Sequence, residues 1–428
     1  MEETIFALAT AQGKAGVAVV RISGPQAVDV LEALGARPPD PRCSRVSVLR
    51  DAAGEMLDQA LVLAFAEGAS FTGESVIELH LHGSIAVVRA VLTAISDTGL
   101  ARLAEPGEFT RRALLNGRLT YAEVQGLGDV IDAETEGQRR HAMRVLSGEV
   151  GDRIGAWRRK LIRATALVEA TIDFADEEVP ETVDEEVIEL ISTVRAELVE
   201  EIRAVSGVAR LKSGFEVALV GAPNAGKSSL LNALTRSEAA IVTDVAGTTR
   251  DIIEVRFEIN GLLVVFIDTA GLRPTEDMVE SIGIARALER GERADLRILL
   301  HEEDRAPPWP FEKGKDDFEL RTKGDLYGDE DAISVVTRAG LETLLERIGG
   351  ILGGRVSDTG LISRERDRLA LTEAEVRLSE VLSQFDVLET DILAHKLREA
   401  IAALQAVIGG VDIEQVLDEV FSSFCLGK

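Results

Sequence analysis

Hydrophobic and polar residues alternate along residues 75–82, Ser-Val-Ile-Glu-Leu-His-Leu-His. A period of two is typical of a half-buried strand, so Glu78, His80 and His82 share one face of it. A metal site is one interpretation of this trio. A strand face that lines a pocket or contacts solvent is the other, and it is favoured because no fourth ligand is evident. Further strands are predicted at residues 16–24 and 57–66, and helices at 27–34 and 85–95.

At residue 119 the hydrophobic period changes from that of a strand to that of a helix. Because the ends of a compact domain often lie close together, helices on both sides of a central segment predict one helical domain into which that segment is inserted. Helices are predicted around residues 122–131, 154–172, 187–211, 369–387 and 388–408, with a last one that ends near residue 424. The predicted domains are 1–117, 118–212, 213–354 and 355–428.

The central segment carries Gly-Ala-Pro-Asn-Ala-Gly-Lys-Ser-Ser at residues 221–229, between a predicted buried strand (215–220) and a predicted helix from residue 230. This order of strand, glycine loop and helix directs backbone N–H groups and partial positive charge toward a polyphosphate. We expect Lys227 to reach the β and γ phosphates and Ser228 to hold Mg²⁺.

Downstream motifs agree with a nucleotide-binding domain. Asp268 ends a predicted strand, where it can hold Mg²⁺ through water, and the N–H of Gly271 can sense the γ phosphate. Residues 247–251, Gly-Thr-Thr-Arg-Asp, fall where a switch loop with a second Mg²⁺ hydroxyl is expected. Residues 322–325, Thr-Lys-Gly-Asp, resemble the guanine motif Asn-Lys-x-Asp and favour GTP, although Thr322 replaces Asn.

Two nearby segments depart from the usual pattern of such a domain. Residues 334–340 match poorly the Ser-Ala loop that packs on guanine. Prolines at 307, 308 and 310 predict an irregular crossover instead of a full helix between the strands near 301 and 318. Both departures concern how tightly guanine is held.

Composition narrows the class of protein. The chain has 428 residues with 46% hydrophobic and 28% charged, enough for several domains with full cores. A formal net charge of −27 excludes a broadly basic nucleic-acid surface. Two cysteines far apart in sequence, no signal peptide and no long apolar run lead us to expect a cytoplasmic protein without disulfides or membrane spans.

A cluster of basic residues lies near the junction of the first two long helices. A solvated helix face is the favoured interpretation of the cluster, and a contact with RNA phosphates is the alternative. The cluster comprises Arg139, Arg140, Arg144, Arg153, Arg158, Arg159, Lys160 and Arg163.

Motifs along the whole chain resemble the MnmE (TrmE) family of tRNA-modification GTPases. They are Val-Arg-Ile-Ser-Gly at 20–24, Ser-Phe-Thr-Gly-Glu at 70–74, Pro-Gly-Glu-Phe at 106–109, Ile-Asp-Phe-Ala-Asp-Glu-Glu at 172–178, the phosphate loop, residues 240–251, and the closing Phe-Ser-Ser-Phe-Cys-Leu-Gly-Lys. The resemblance implies an N-terminal folate-binding-like α/β domain, a discontinuous helical domain and an inserted Ras-like P-loop GTPase domain. Cys425 is then either a reactive thiol or a buried packing residue.

The resemblance also implies a homodimer formed through the N-terminal domain. It implies that the dimer acts with the FAD protein MnmG to add a carboxymethylaminomethyl group at C5 of the tRNA wobble uridine, using a tetrahydrofolate one-carbon unit in the 5-formyl or 5,10-methylene form. Folate contacts are implied for Arg21, Glu78, Arg118 and Lys428, with Arg118 where the family usually has Lys.

The family implies K⁺ and Mg²⁺ in the GTPase domain. Asn224, carbonyls of Thr243 and Val245, and nearby Thr248 would bind K⁺, which offsets charge as an arginine finger does. Ser228 and Thr249 would bind Mg²⁺. Leu272 stands where Ras-like enzymes have a water-orienting Gln, and Glu280 would take that task beside Lys227 and Gly271. Nucleotide contacts are implied for Asn224, Ala225, Gly226, Lys227, Ser228, Ser229, Thr243, Asp244, Val245, Ala246, Gly247, Thr248, Thr249, Asp268, Thr269, Ala270, Gly271, Lys323 and Asp325.

Two other functions compete with this one. An RNA-binding assembly switch like Era or Der shares the central motifs, but no basic RNA-binding appendage follows the nucleotide domain. A folate-dependent transferase with a vestigial nucleotide domain is disfavoured by the intact Lys227, Ser228 and Asp268.

Overall fold

The computed structural model describes most of the chain as two compact units. One unit comprises Met1–Gly128 with Ile408–Lys428, and the other Asp129–Val407. The described residues are 3–40, 43–173, 182–222, 224–236, 240–241, 254–268, 293–302, 309, 312–327, 332–356, 360–409 and 427. The predicted four-domain boundaries stay a prediction.

The first unit is built on a six-stranded sheet in the order β3-β4-β5-β2-β1-β6, in which only β1 and β6 pair in parallel. Its strands are β1 (Thr4–Leu8), β2 (Val17–Ser23), β3 (Ser44–Arg50), β4 (Met56–Phe65), β5 (Val76–His82) and β6 (Ala101–Leu103). Its helices include α1 (Ala27–Ala33), α2 (Ile85–Asp97) and α3 (Glu108–Leu115). Val20, Leu79 and Leu31 are core residues of this sheet and of α1.

The predicted strands and helices of this unit are confirmed, whereas β1, β3 and β6 were not predicted. β3 lies at a sheet edge and exposes four of its seven side chains, Val46 among them, so its apolar positions do not mark a buried face. β1 has four consecutive buried residues followed by half-buried Leu8, a run that carries no period, and β6 has only three residues.

Three helices follow where the hydrophobic period predicted two. They are α4 (Tyr121–Asp132), α5 (Glu136–Leu146) and α6 (Glu149–Asp173), and α7 (Thr182–Ser213) comes next. The unpredicted helix is α5, whose outer face is highly polar. A capping box marks its start, since the Thr135 side chain accepts from the Gln138 N–H and the Gln138 side chain accepts from the Thr135 N–H. The spacing Thr-x-x-Gln in the sequence is the signal for this helix.

The second unit contains a six-stranded sheet in the order β12-β11-β7-β10-β9-β8. Neighbours from β12 to β10 pair in parallel, and β9 and β8 extend the sheet antiparallel. The carboxyl ends of the parallel strands therefore meet at one edge, where α/β proteins bind ligands. The strands are β7 (Phe215–Gly221), β8 (Ala240–Ile241), β9 (Glu254–Ile259), β10 (Leu262–Asp268), β11 (Leu296–His301) and β12 (Phe318–Arg321).

Helices pack on this sheet and on each other. They are α8 (Lys227–Thr235), α9 (Gly324–Tyr327), α10 (Leu341–Gly353), α11 (Glu365–Ser383) and α12 (Thr390–Ile408). α7, which precedes the sheet, packs against α11, which follows it. Buried Glu201 of α7 fixes this arrangement, because its Oε1 accepts the N–H groups of Leu361 and Ile362 at 2.7 and 2.9 Å while its Oε2 pairs with Arg153.

The turn of the β9–β10 hairpin is held between α5 and α10. The N–H of Gly137 donates to the carbonyl of Gly261 at 3.0 Å. A Cβ at residue 137 would lie 2.4 Å from that oxygen, and one at Gly349 would lie 2.3 Å from Nδ2 of Asn260. The contact at Gly137 requires glycine because a Cβ would push against the backbone of the turn, whereas a Cβ at residue 349 would push against the side chain of Asn260.

Two expectations drawn from the sequence can be checked against the described residues. The predicted irregular crossover between β11 and β12 is described only at residues 302, 309 and 312–317, which include no helix, and its three prolines lie outside the described residues. In the described part of the chain, no helix has both the length and the apolar character needed to cross a bilayer.

Candidate functional site

The phosphate loop joins β7 to α8 with two residues in the left-handed region. Asn224 has φ 66° and Gly226 has φ 87°. Gly221 approaches the neighbouring strand β11 so closely that a Cβ there would lie 2.5 Å from the carbonyl oxygen of Leu300. Glycine is thus needed for different reasons at the two positions. Gly226 adopts a left-handed backbone conformation, and Gly221 packs closely against β11. The predicted strand, loop and helix are all present.

The ammonium group of Lys227 is buried at the start of α8. Its Nζ donates to the carbonyl oxygens of Gly221 and Ala222 at 2.6 and 2.8 Å. A buried cation at a helix N-terminus suits an anionic ligand. Ala225 is buried in the same loop, and Ser228 and Ser229 follow in the first turn of α8.

Asp268 lies at the same sheet edge as the phosphate loop. It is the last residue of β10 and pairs with Leu219 of β7, two residues before Gly221. Its backbone is therefore placed where the sequence predicted a Mg²⁺ ligand.

Residues 322–325, predicted to recognise the base, follow the end of β12 and lie next to the loop. The hydroxyl of Thr322 donates to the carbonyl of Ala225 at 3.0 Å. Lys323 has φ 61° and its Nζ pairs with Glu302 at 2.5 Å. Asp325 is exposed, and its Oδ1 accepts the hydroxyl proton of Ser334 at 2.6 Å. Ser334 therefore orients the side chain of Asp325. Residues 334–340 match the guanine loop poorly, so the sequence did not predict this contact.

Several predicted site residues lie outside the described residues, so their roles stay predictions. They are Thr243, Asp244, Val245, Ala246, Gly247, Thr248, Thr249, Thr269, Ala270, Gly271, Leu272, Glu280, Cys425 and Lys428, together with the side chain of Asp268 and the predicted helix that ends near residue 424.

The N-terminal unit places Arg21 and Glu78 on paired strands. Both Nε and Nη2 of Arg21 contact the same oxygen, Oε1 of Glu78, at 2.9 and 2.8 Å. The guanidinium carbon lies 5.4 and 5.7 Å from the ring centroids of Phe71 and Phe109, within range of cation–π attraction. The quoted motifs contain both rings, but only the fold shows that they meet at Arg21.

The metal interpretation of the β5 face gains no support. His82 binds a residue outside the trio, since its Nδ1 lies 2.7 Å from Oδ1 of Asp58. Nε2 of His80 lies 3.6 Å from Oε2 of Glu78. No group of three metal-binding side chains occurs among the described residues. Burial alone would raise the pKa of Asp58, but hydrogen bonds from His82 outweigh it and lower that pKa.

A buried ion-pair network joins the loop 70–74 to helix α3. Arg112, only 1% exposed, donates to Glu74 at 3.0 Å and to Glu108 at 2.9 Å. Arg102 binds the same Glu108 through two nitrogens. Burial alone would raise the pKa of Glu108, but hydrogen bonds led by that of Arg102 lower it. The network holds together the two motifs that carry the rings beside Arg21.

The remaining candidate residues of this unit lie around the same sheet. Arg118 is exposed beside the turn at Gly73, where a Cβ would lie 3.2 Å from its Cγ. Gly427 is buried so close to the end of β1 that a Cβ there would lie 2.1 Å from the carbonyl oxygen of Leu8. The residue before Lys428 thus contacts the strand that pairs with the one carrying Arg21.

The basic cluster is largely neutralised by carboxylates. Its ion pairs are Arg139 and Arg140 with Glu136, Arg144 with Glu149, Arg153 with Glu201, Lys160 with Glu197 and Arg163 with Glu186. This favours the interpretation as a solvated helix face over a contact with RNA phosphates.

Comparisons with known proteins cover the whole chain. Residues 4–118 match the family described as "GTP-binding protein TrmE N-terminus", and residues 121–425 match "MnmE helical domain". The chain belongs to the MnmE family. It is 53% identical to the tRNA modification GTPase MnmE of Roseobacter denitrificans and 51% identical to that of Ruegeria sp. (strain TM1040), each over 100% of both chains.

The family assignment confirms the resemblance, the fold class and the enzyme class predicted from the motifs, since its members are named tRNA modification GTPases. Among solved structures, the chain is similar to the G domain of the T. maritima FeoB iron transporter, with 26% identity over 31% of this chain and 96% of that chain, at a TM-score of 0.23.

Replacement of Arg112 by Met should leave the carboxylates of Glu74 and Glu108 without their buried partner. We expect Arg112→Met to lower the free energy of unfolding of the first unit by roughly 3–5 kcal/mol at neutral pH. The pKa of Glu108 is lowered on folding, so its contribution is present above its unfolded pKa and lost as the pH falls through the folded one. The variant should therefore be less sensitive to acid.

Urea-dependent hydrogen exchange in β2 and β5 measures this loss. The matched control is Arg50→Met in the same unit, which removes an exposed arginine whose Nη1 donates to the carbonyl of Gly54 and should cost about 1 kcal/mol or less. Equal effects of the two substitutions would contradict a structural role for the network.

Proposed function

We propose that this chain hydrolyses GTP at the phosphate loop and uses the reaction in tRNA modification. The observation that supports it best is the buried ammonium of Lys227, held by loop carbonyls at the N-terminus of α8. Lys227 would move to the β and γ phosphates, and Ser228 with Thr249 would hold Mg²⁺, which neutralises charge on the phosphates. Asp325, oriented by Ser334, would accept two guanine N–H groups.

Loss of Lys227 should abolish this function. We expect Lys227→Ala to lower GTP turnover by roughly 10²- to 10³-fold, because one preorganised donor to the reacting phosphates is lost. The control Lys396→Ala removes a lysine of α12 that pairs with Glu380 and should leave turnover unchanged. In a deletion strain, the Lys227→Ala chain should also fail to restore modified wobble uridines. Undiminished turnover would refute the proposed site.

Hydrolysis is proposed to depend on K⁺ as well as Mg²⁺. Asn224 is exposed in the loop, and its amide oxygen is a group that can ligate a cation. With the carbonyls of Thr243 and Val245 and with Thr248, it would hold the ion. The ion would offset negative charge between the β and γ phosphates, and Glu280 would orient water in place of a Gln at Leu272.

Replacement of K⁺ by Na⁺ should slow turnover, and removal of the Asn224 amide should abolish the difference. Asn224→Gly is the suitable variant, since glycine adopts φ 66° without strain whereas alanine does not. We expect it to lose K⁺ stimulation of about 10- to 1000-fold. Asn260→Gly, at another left-handed asparagine with φ 53°, is the matched control. Equal rates in K⁺ and Na⁺ for the unaltered protein would refute the role of K⁺.

The N-terminal unit is proposed to bind a tetrahydrofolate derivative, in the 5-formyl or 5,10-methylene form. Arg21 uses only Oε1 of Glu78, so Oε2 can accept N–H groups of a pterin ring. Arg118 and Lys428 would pair with the carboxylates of the ligand, and Phe71 and Phe109 provide flat apolar surfaces. The bound folate would supply the one-carbon unit.

Neutralisation of Glu78 should weaken folate binding. We expect Glu78→Gln to reduce the affinity for 5-formyltetrahydrofolate by about tenfold or more, because a charged acceptor is replaced by a neutral amide. Glu55→Gln, in an exposed turn, is the control. Isothermal titration calorimetry measures both, and unchanged affinity of Glu78→Gln would contradict this placement.

The active assembly is proposed to be a homodimer through the N-terminal unit that joins MnmG on tRNA. Exposed apolar side chains on the sheet of this unit, including Val17, Val46 and Met56, support such an interface. Light scattering of the full chain, alone and with MnmG, tests both associations, and a monomer at all concentrations would refute the first.

A further inference from the structure

Thr322 is buried at the position where the guanine motif has Asn. Its side chain is 4% exposed, and its hydroxyl oxygen lies 3.0 Å from the carbonyl oxygen of Ala225 and 3.3 Å from that of His301. Its backbone N–H donates to the same His301 carbonyl at 2.9 Å. Both hydrogen-bond acceptors that this hydroxyl contacts are therefore backbone carbonyls of the protein.

A threonine hydroxyl has one proton, and here two protein carbonyls compete for it. None is left to donate to the base of a nucleotide, and burial keeps the oxygen away from a ligand. Asp325 differs in both respects, because it is exposed and its Oδ1 is oriented by Ser334. Recognition of the base thus falls to Asp325 and not to Thr322.

The carbonyl that Thr322 contacts belongs to the most contorted part of the loop. Ala225 stands between Asn224 and Gly226, both left-handed. The peptide bond between 225 and 226 is trans, since no cis peptide occurs in the described chain. In a trans peptide the C=O and the following N–H point in opposite directions. A hydroxyl that holds the Ala225 carbonyl therefore also fixes the direction of the Gly226 N–H, one of the loop amides available to phosphate.

We propose that Thr322 is a positioning residue for the phosphate cradle and takes no part in base selection. The inference rests on the proposed nucleotide site. Thr322 ties the end of β12 to the phosphate loop across 97 residues of sequence, so loss of its hydroxyl loosens contacts with the phosphates of any nucleoside triphosphate. Selectivity between bases is unaffected by that loss.

The affinities for GTP and ITP distinguish a role in positioning the phosphate loop from a role in base selection. Inosine lacks the exocyclic amino group from which Asp325 would accept a hydrogen bond. Thr322→Val keeps the shape of the side chain and removes its hydroxyl. We expect it to lower the affinities for GTP and for ITP by the same factor, about tenfold. Thr322→Ser keeps the hydroxyl and should stay within about twofold of the unaltered protein. Ser334→Ala should instead change the ratio of GTP to ITP affinity.

A changed GTP-to-ITP ratio in Thr322→Val, or unchanged affinity for both, would overturn the inference. If Thr322→Val does not fold, Thr322→Cys replaces it, since a thiol is a weak donor, and it should again weaken both nucleotides equally. Lys227→Ala distinguishes the two levels of failure. If it binds GTP as tightly as the unaltered protein, the proposed site fails and the inference with it. If only the Thr322 variants bind normally, the inference alone fails.

Discussion

The nucleotide domain depends on hydrogen bonds to the carbonyl oxygens of its own phosphate loop. Lys227 holds the carbonyls of Gly221 and Ala222 from inside the loop, and Thr322 holds that of Ala225 from the end of β12, two strands away from β7 in the sheet. Close packing of Gly221 against β11 fixes where the loop begins. Because β7, β10, β11 and β12 run in parallel, the same edge also carries Asp268 and Asp325. The shape of the loop and the positions proposed for metal binding and base recognition thus follow from one strand arrangement.

The N-terminal unit uses buried charge for a different purpose. Arg112 lies among carboxylates from two distant loops and thereby fixes Phe71 and Phe109 beside Arg21. In a protein with a net charge of −27, six of the eight basic residues in the cluster from Arg139 to Arg163 are paired with glutamates. Lys227 differs from these residues, because its buried ammonium donates to the backbone carbonyls of Gly221 and Ala222.

The parts of the fold that sequence could predict are those with a strong local pattern. β5 alternates, β7 and β11 are apolar runs with correct flanks, and the long helices carry a clear apolar stripe. The edge strand β3 and the polar helix α5 lack such a pattern, since β3 is held by pairing with β4 and α5 begins at a capping box. The phosphate-loop and guanine motifs predicted nucleotide contacts for Lys227 and Asp325. The contacts of Thr322 with Ala225 and of Ser334 with Asp325 were not predicted, because only the fold brings them together.

The two glycines that meet at the β9–β10 turn restrict how that ribbon can move. Gly137 and Gly261 are joined by a hydrogen bond with no space for a side chain, and Asn260 lies against Gly349 on the other side. The turn is therefore an anchor at the end of the ribbon remote from the nucleotide edge. Sliding of the ribbon along its own axis would lengthen the hydrogen bond from Gly137 to Gly261. A displacement of β10 that starts at Asp268 would therefore act on α5 through this bond.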